Sequence, residues 1–418
     1  MHQPDGGADA ALCPVGNVMH AAVMRSCDVH LLVAMLLASC GARTAVHANG
    51  DASTPAATVC APCSADACDV LVDETIAPAF AGNDTASIAL GEGGRLFVLL
   101  EEPTAAYQAS IYERVAPGSW QRIDGGVAAT GALAIDPPPW APSALGPYAC
   151  VLYDGAYHSL LEATAAHTFP VLTDESVSSP NVWRDSVGTV HFVSEGGTGH
   201  GPTPPTYFTF DGTFHATPLS RTDARADGGR LALGARDVAW LAWTEPSSST
   251  ASPSELFAWR SDTQTRESVG VVHAGVGPIA VADVAGADAP AIVFSDPPAM
   301  LLALARRDPS GAWPRTELVT DCETPCALDM RTVTMVASGP HLVVLYATTT
   351  RGPGDARTTT LFRADGASAP TIVFTHPAAD IVGVRAIADA SCHLHVAYDE
   401  IDATNGVTST RYVLLGAP

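Results

Sequence analysis

Lysine is absent from this chain: all 21 basic residues among its 418 are arginine. With it go the mechanisms that need a side-chain amine, including a phosphate-loop lysine and a Schiff base. Charge is scarce as well, at 16% against 47% hydrophobic residues, which argues against long solvent-exposed helices and against wholesale disorder. No Gly-x-Ser-x-Gly elbow and no nucleotide-binding glycine loop occurs. The apolar run Leu31–Leu37 is too short to span a bilayer. Basic charge is outweighed throughout. Removing residues 1–39, which hold Asp5, Asp9, Asp28 and Arg25, takes the formal net charge from −23 to −21. A body so acidic repels nucleic acid and anionic membrane surfaces, so a membrane partner is expected only through a lipid.

What the sequence does contain begins with an export signal. Met24-Arg25 precedes the apolar run, which has the length of a signal-peptide core, and the run ends in Leu37-Ala38-Ser39-Cys40-Gly41. That string resembles the bacterial lipobox, and the resemblance implies that Cys40 is acylated and becomes the mature N-terminus. Gly41, rather than Asp, resembles the sorting preference for the outer membrane. Residues 1–23 do not fit a signal and are expected to precede the true start. The expected organisation is therefore a signal peptide over 24–39, a small and polar tether over 40–59 that lifts the body off the membrane, and a globular domain over 60–418. The rival reading of the apolar run is a buried helix with a free cysteine.

Seven cysteines follow Cys40: Cys60, Cys63, Cys68, Cys150, Cys322, Cys326 and Cys392. In an exported chain the close spacings Cys60-Ala-Pro-Cys63 and Cys322-Glu-Thr-Pro-Cys326 read first as disulfides. Zinc is the rival at Cys60 and Cys63, but no second Cys-x-x-Cys or paired His follows in the usual window, and no metal is expected. The odd total leaves at least one thiol free if all pairing is internal.

Length alone allows two or three domains or one large repeat domain. A repeat decides for the latter. A turn followed by a short apolar strand recurs seven times, ending at Leu100, Tyr153, Val193, Trp243, Phe294, Tyr346 and Tyr398, in steps close to fifty residues. One further strand precedes each instance, such as Ser87–Leu90, Ile279–Ala282 or Val384–Ala388. Two more follow, such as Ser110–Val115 and Trp120–Ile123, or Thr359–Arg363 and Thr371–Phe374. Four strands per fifty residues predict an all-β fold, a seven-bladed β-propeller, with two β-sandwich domains as the competing architecture. The last unit stops at its third strand, Thr410–Leu415, while Val70–Ile76 has no unit of its own. That N-terminal strand is expected to complete the last blade and close the ring.

Gly118-Ser-Trp120 and Gly311-Ala-Trp313 each sit in a turn before an outer strand, and Asp389–Tyr398 carries the same repeat. Together they resemble the repeats of bacterial sialidase-like propellers. The resemblance implies fold rather than catalysis, because no Ser-x-Asp-x-Gly-x-x-Trp box occurs. Ile279–Asp288 resembles the calcium loops of integrin-type propellers. With Ala285 and Ala287 where oxygen ligands belong, a degenerate turn is expected there.

The candidate chemistry is thin. Acids follow the second strand in most units, at Glu101, Asp154, Glu195, Glu245, Asp296 and Asp399. Two of them opposed across a funnel would suit glycoside hydrolysis, but repeated acids at one turn position more often bind backbone. Arg184, Arg331 and Arg385 fall on or beside inner strands. Together they would bind a carboxylate or sulfate, or each pairs with an acid such as Asp185 or Asp389. His393 and His395 share one face of a strand and can share a metal, although packing between blades, as for His191, is the stronger reading. Trp140, Trp183, Trp240, Trp243 and Trp259 are core fillers or sugar platforms. No catalytic residue and no cofactor is assigned. The expected function is a surface-anchored binding or scaffolding module for a protein or glycan, with a glycan-active hydrolase as the alternative.

Overall fold

A computed structural model describes the chain from Val70 to Gly416, apart from short loops between strands and the connecting segments 136–147, 171–181 and 194–204. Residues 1–69 lie outside the described residues, as do the side chains of the second sheet. The chain divides into Met1–Pro55 and Ala56–Pro418, and every described residue belongs to the second unit.

Secondary structure among the described residues is almost entirely strand, with a short 3-10 turn at Met330–Thr332. The strands form seven antiparallel meanders. The first runs Asp84–Leu90, Leu96–Glu102, Gln108–Ala116 and Ser119–Arg122, with Val127–Ala128 beside its third strand. The second runs Thr130–Ile135, Tyr148–Tyr153, Tyr157–Glu162 and Ala165–Pro170; the third runs Val182–Arg184, Val190–Val193, Thr206–Phe210 and Phe214–Pro218. Asp227–Leu233, Ala239–Pro246, Ser254–Arg260 and Thr265–Val272 make the fourth, and Val276–Val284, Ala287–Asp296, Leu301–Arg306 and Arg315–Val319 the fifth. In the sixth, Cys326–Ala327 and Val333–Ser338 both pair with His341–Arg351, followed by Arg357–Ala364 and Thr371–Pro377. The seventh holds Ala379–Ala388, Leu394–Asp402 and Thr408–Leu415, and its fourth strand is Val70–Phe80.

First strands of successive sheets are neighbours around a circuit: first to second, onward to the seventh, and the seventh back to the first. Sheets standing side by side around an axis, each with its first strand innermost, make a β-propeller. All seven repeat instances read from sequence are second strands of these sheets. The Val70–Ile76 segment lies antiparallel along Thr408–Leu415, from Val70 opposite Leu415 to Thr75 opposite Arg411.

Burial explains the apolar runs. Ala239–Thr244 is buried at six consecutive positions and Val190–Val193 at four, because both faces of a second strand pack on neighbouring sheets. Outermost strands such as Phe214–Pro218 and Thr371–Pro377 are largely exposed or half-buried. The core is accordingly a series of clusters between sheets. Trp240 and Ile292 meet between the fourth and fifth, Val293 and Tyr346 between the fifth and sixth, and Ile88 and Tyr412 between the first and seventh. Spacing is tight at a bulge in the fourth sheet's inner strand, where Gly228 holds a φ of +77° and a Cβ would meet Val276 Cγ1 at 2.6 Å.

Candidate functional site

The inner strands carry the arginines expected to converge. Arg184 ends its strand immediately before the Asp185–Thr189 turn. Arg331 sits in the 3-10 turn ahead of Val333–Ser338, at the opposite end of an inner strand. Arg385 lies within Ala379–Ala388. Corresponding strands of a propeller run the same way along the axis, so Arg184 and Arg331 belong to opposite mouths. Arg385 does reach its neighbour: its Nη1 donates to the Arg331 carbonyl at 3.2 Å and to its own Val384 carbonyl at 2.9 Å. The fourth sheet repeats this last contact, with Arg230 Nη1 donating to Gly229 at 3.1 Å. Arg184 is buried, Arg385 half-buried and Arg331 exposed. The structure therefore brings two of the three together and leaves the third in another sheet.

Asp185 and Asp389, expected as arginine partners, instead organise turns and histidines. Asp185 Oδ1 accepts the Val187 and Thr189 amides at 3.1 and 2.7 Å, while Oδ2 lies 3.1 Å from His191 Nε2. His191 Nδ1 is 2.6 Å from the Tyr207 hydroxyl. Asp389 repeats the pattern: Oδ1 accepts the Ser391 and His393 amides, Oδ2 lies 3.3 Å from His395 Nε2, and His395 Nδ1 is 2.8 Å from the Tyr412 hydroxyl. A nitrogen facing a carboxylate carries the proton, so a neutral ring donates from Nε2 and accepts the tyrosine proton at Nδ1. Burial pushes the Asp185 carboxyl up, but the His191 ring and the turn amides outweigh it and hold it below the usual range. Asp389 is lowered in the same way, with burial opposed by the His393 amide and the His395 ring. Burial raises both tyrosines, Tyr412 to about 12. These two sets tie a turn to the second and third strands of its sheet. His393 Nδ1 also approaches Asp389, at 3.3 Å, and no cluster able to hold a metal is present among the described residues.

A second repeated device joins sheets. Glu74 on the closing strand accepts Arg114 Nε at 3.0 Å and Trp120 Nε1 at 3.1 Å from the first sheet. Glu267 on the fourth sheet's outer strand accepts Arg307 Nε at 2.7 Å and Trp313 Nε1 at 3.0 Å from the fifth. The sequence offsets are the same in both, 40 residues from Glu to Arg and 46 from Glu to Trp. Trp120 and Trp313 are the tryptophans of the two Gly-x-Trp turns. Glu267→Ala leaves two half-buried donors without their acceptor, and the expected loss is about 1–3 kcal/mol in urea unfolding. Glu255→Ala, whose carboxylate accepts the exposed Ser268 hydroxyl at 2.6 Å, is the matched control and is expected to lose under about 0.5 kcal/mol.

The acids after the second strands divide between the described and the undescribed. Asp399 is fully buried and accepts the Thr410 hydroxyl at 2.7 Å. Glu245 accepts Trp243 Nε1 at 2.8 Å and Arg266 Nη2 at 2.7 Å. Both carboxylates accept side-chain donors of their own sheet. Glu101 and Asp296 lie in strands whose side chains are outside the description there, and Asp154 and Glu195 fall outside the described residues. In the Ile279–Asp288 stretch, Asp283 accepts the Gly286 amide at 2.8 Å, and Asp288 faces Trp240 Nε1 at 3.5 Å and Arg236 Nη2 at 3.7 Å. Trp240, Trp243 and Trp259 are buried; Trp183 is 38% exposed, with Nε1 donating to the Leu231 carbonyl at 3.0 Å. Trp140, Cys40, Cys60, Cys63 and Cys322 lie outside the described residues, and Cys326 opens the strand Cys326–Ala327. No described helix is long and apolar enough to cross a membrane.

No family model matches the chain, and no curated protein matches it. Among solved structures it is similar to a protein of unknown function from Dyadobacter fermentans DSM 18053, at 10% identity and a TM-score of 0.44, over 84% of this chain and 99% of that one. It is also similar to YCF48 in a structure bound to a D1 peptide, at 8% identity and a TM-score of 0.42, over 84% of this chain and 93% of that one.

Proposed function

We propose that this chain is a lipid-anchored binding or scaffolding module of the bacterial cell envelope, without catalysis of its own. Its seven sheets are the seven blades of one ring. Residues 24–39 are its signal peptide, Cys40 its acylated N-terminus and residues 40–59 its tether, with the outer membrane as destination. The partner is a protein or a glycan, no cofactor takes part, and nucleic acid is excluded by the acidic charge.

One observation supports the non-catalytic reading above the sialidase-like alternative. The described groups best suited to chemistry hold the fold together: Asp399 binds Thr410, Glu245 binds Trp243 and Arg266, and both Asp–His–Tyr sets are closed on themselves. A hydrolase of the sialidase kind needs its arginines at one mouth, whereas Arg184 and Arg331 stand at opposite ends of inner strands.

The test pairs anchoring with turnover. Wild-type protein in cells is expected to take up labelled fatty acid, and Cys40→Ala to lose that label. Purified protein on a glycan array, and with a fluorogenic sialoside, is expected to release no sugar. Labelling that survives in Cys40→Ala refutes the anchor; sugar release refutes the non-catalytic reading.

A further inference from the structure

Nine large hydrophobic side chains are exposed among the described residues, and seven of them lie at one end of the ring. Single apolar residues scattered over a surface are ordinary, but their segregation to one end is not. We propose that this end is a docking face for a bilayer of zwitterionic phospholipid, brought there by the chain's own anchor. The inference rests on the acylated Cys40 of the preceding section.

Strand direction places each residue. In a four-strand meander the first and third strands run one way and the second and fourth return, so the ends of first and third strands share one end of the ring with the starts of fourth strands. On the rim, Val70 and Leu71 open the closing strand beside Leu415, the last residue of the third strand, and Leu71 is 52% exposed. Ile372 opens the outer strand of the sixth sheet, opposite Phe362, and is 65% exposed. Val115 stands one residue from the end of the first sheet's third strand and is equally open. These four belong to three successive sheets, the sixth, the seventh and the first. Nearer the axis, Val187 sits in the Asp185–Thr189 turn at 82% exposure, Trp183 just precedes that turn, and Val284 closes the fifth sheet's inner strand. Val271 near the end of a fourth strand, and Val407 ahead of a third, lie at the other end.

Connectivity and charge name the occupant. Whatever course residues 41–69 take, they enter the ring at Val70, within the rim group, and Cys40 lies 30 residues upstream, a reach of at most roughly 100 Å. The anchor therefore pulls on this end. Tethering makes the second contact intramolecular, so a face of weak affinity is enough. The formal net charge of −23, with Asp211, Asp308 and Asp389 held to the amides of turns at this end, makes anionic lipid a poor partner and leaves neutral headgroups. Side chains of this size reach only the boundary between headgroups and acyl chains, so the ring rests on the bilayer without crossing it.

Photolabelling reads the face. Acylated wild type is reconstituted on phosphatidylcholine vesicles holding a phosphatidylcholine with a diazirine near the glycerol end of one acyl chain, then irradiated, digested and mapped by mass spectrometry. Label is expected on the peptides of Val70–Val72, Val115 and Ile372, and not on those of Val271 and Val407. Leu71→Ser combined with Ile372→Ser is expected to lower the label at Val115 about tenfold, through the apolar area of two side chains, whereas Val271→Ser combined with Val407→Ser leaves it unchanged. Mixing in phosphatidylglycerol is expected to lower the label, and a rise overturns the choice of neutral lipid. Cys40→Ala carrying a histidine tag ahead of residue 40, held by a nickel-chelating lipid, reads the same face without the acyl chain. The expected pattern there, with no fatty acid on wild type, sinks the anchor and leaves the face standing. Label equal at the two ends, label at Val115 and Ile372 no higher than at Val271 and Val407, or a dimer in solution that Leu71→Ser breaks overturns the docking face. The two wild-type maps decide the matter should a variant fail to fold.

Discussion

Deleting Val70–Phe80 is expected to abolish the cooperative melting of the monomer, leaving either an unfolded chain or a domain-swapped oligomer. The strand forms one whole side of a ladder, from Val70 opposite Leu415 to Phe80 opposite Thr408. Without it Thr408–Leu415 becomes an open edge, the usual template for pairing with another chain. Ile76 leaves the core between the first and seventh sheets, a loss of about 1.5–3 kcal/mol by itself. Glu74 leaves Arg114 and Trp120 without their acceptor, which adds about 1–3 kcal/mol, and Arg411 loses Asp73. Those terms approach the roughly 5–15 kcal/mol by which a domain is stable at all. Size-exclusion chromatography with light scattering and a thermal melt give the result; an unchanged monomer with an unchanged melt refutes the closing role. A peptide of residues 70–80 added in trans is expected to restore the monomer, because the missing element is an edge strand and not a folding nucleus buried in the chain.

Much of this architecture was legible because a propeller writes its repeat into hydrophobicity. Second strands pack on both faces, so Val238–Trp243 reads as a continuous apolar run, and Val190–Val193 is buried at every position. The closing strand was legible as a deficit, one strand too few after Thr410–Leu415 and one too many before Ser87. Polar contacts were not legible from residue type. Asp185 and Asp389 stand beside arginines in sequence, so ion pairs were expected; the structure turns both carboxylates toward turn amides and a histidine six residues on. A signal for that did exist in the shared Asp-x5-His spacing. The Glu74 and Glu267 clamps likewise left a trace in their common 40- and 46-residue offsets, which only the blade period makes meaningful. For Arg184, Arg331 and Arg385, sequence gives a place on or beside inner strands without fixing the height along the axis, and the structure sets Arg184 at the end of its strand and Arg331 before its own.

Acid is expected to weaken the ring through His395. Its ring is held below its ordinary value of 6.5, first by burial, which disfavours the charged form, and further by the positive charges of Arg114 and His393; Asp389 pulls the other way and does not prevail. The Tyr412 hydroxyl and the Arg114 guanidinium, which lies 5.1 Å from the Tyr412 ring, complete its surroundings. The sign follows from which state binds the proton. Below about pH 6.5 the unfolded chain protonates this histidine while the folded chain resists, so stability is full above that pH and falls as pH drops toward the lower folded value. One proton gives a slope of at most about 1.4 kcal/mol per pH unit. Asp389, Asp185 and Glu74 are all held low in the fold, so the stability they supply disappears only at more acid pH, as it falls through their depressed values. Between pH 7 and 5 those three carboxylates add little slope, and the share that His395 supplies is read by difference from a His395 variant. Urea unfolding of wild type across that window is expected to show the loss. His395→Gln is expected to be less stable than wild type at pH 7 by about 1–3 kcal/mol, since the Asp389 and Tyr412 contacts are both disturbed, and to show a visibly flatter pH dependence. Tyr412→Phe keeps the ring and the histidine, so it is expected to keep the slope while losing part of the stability. Equal slopes in wild type and His395→Gln would assign the acid sensitivity to another group and remove His395 from the account.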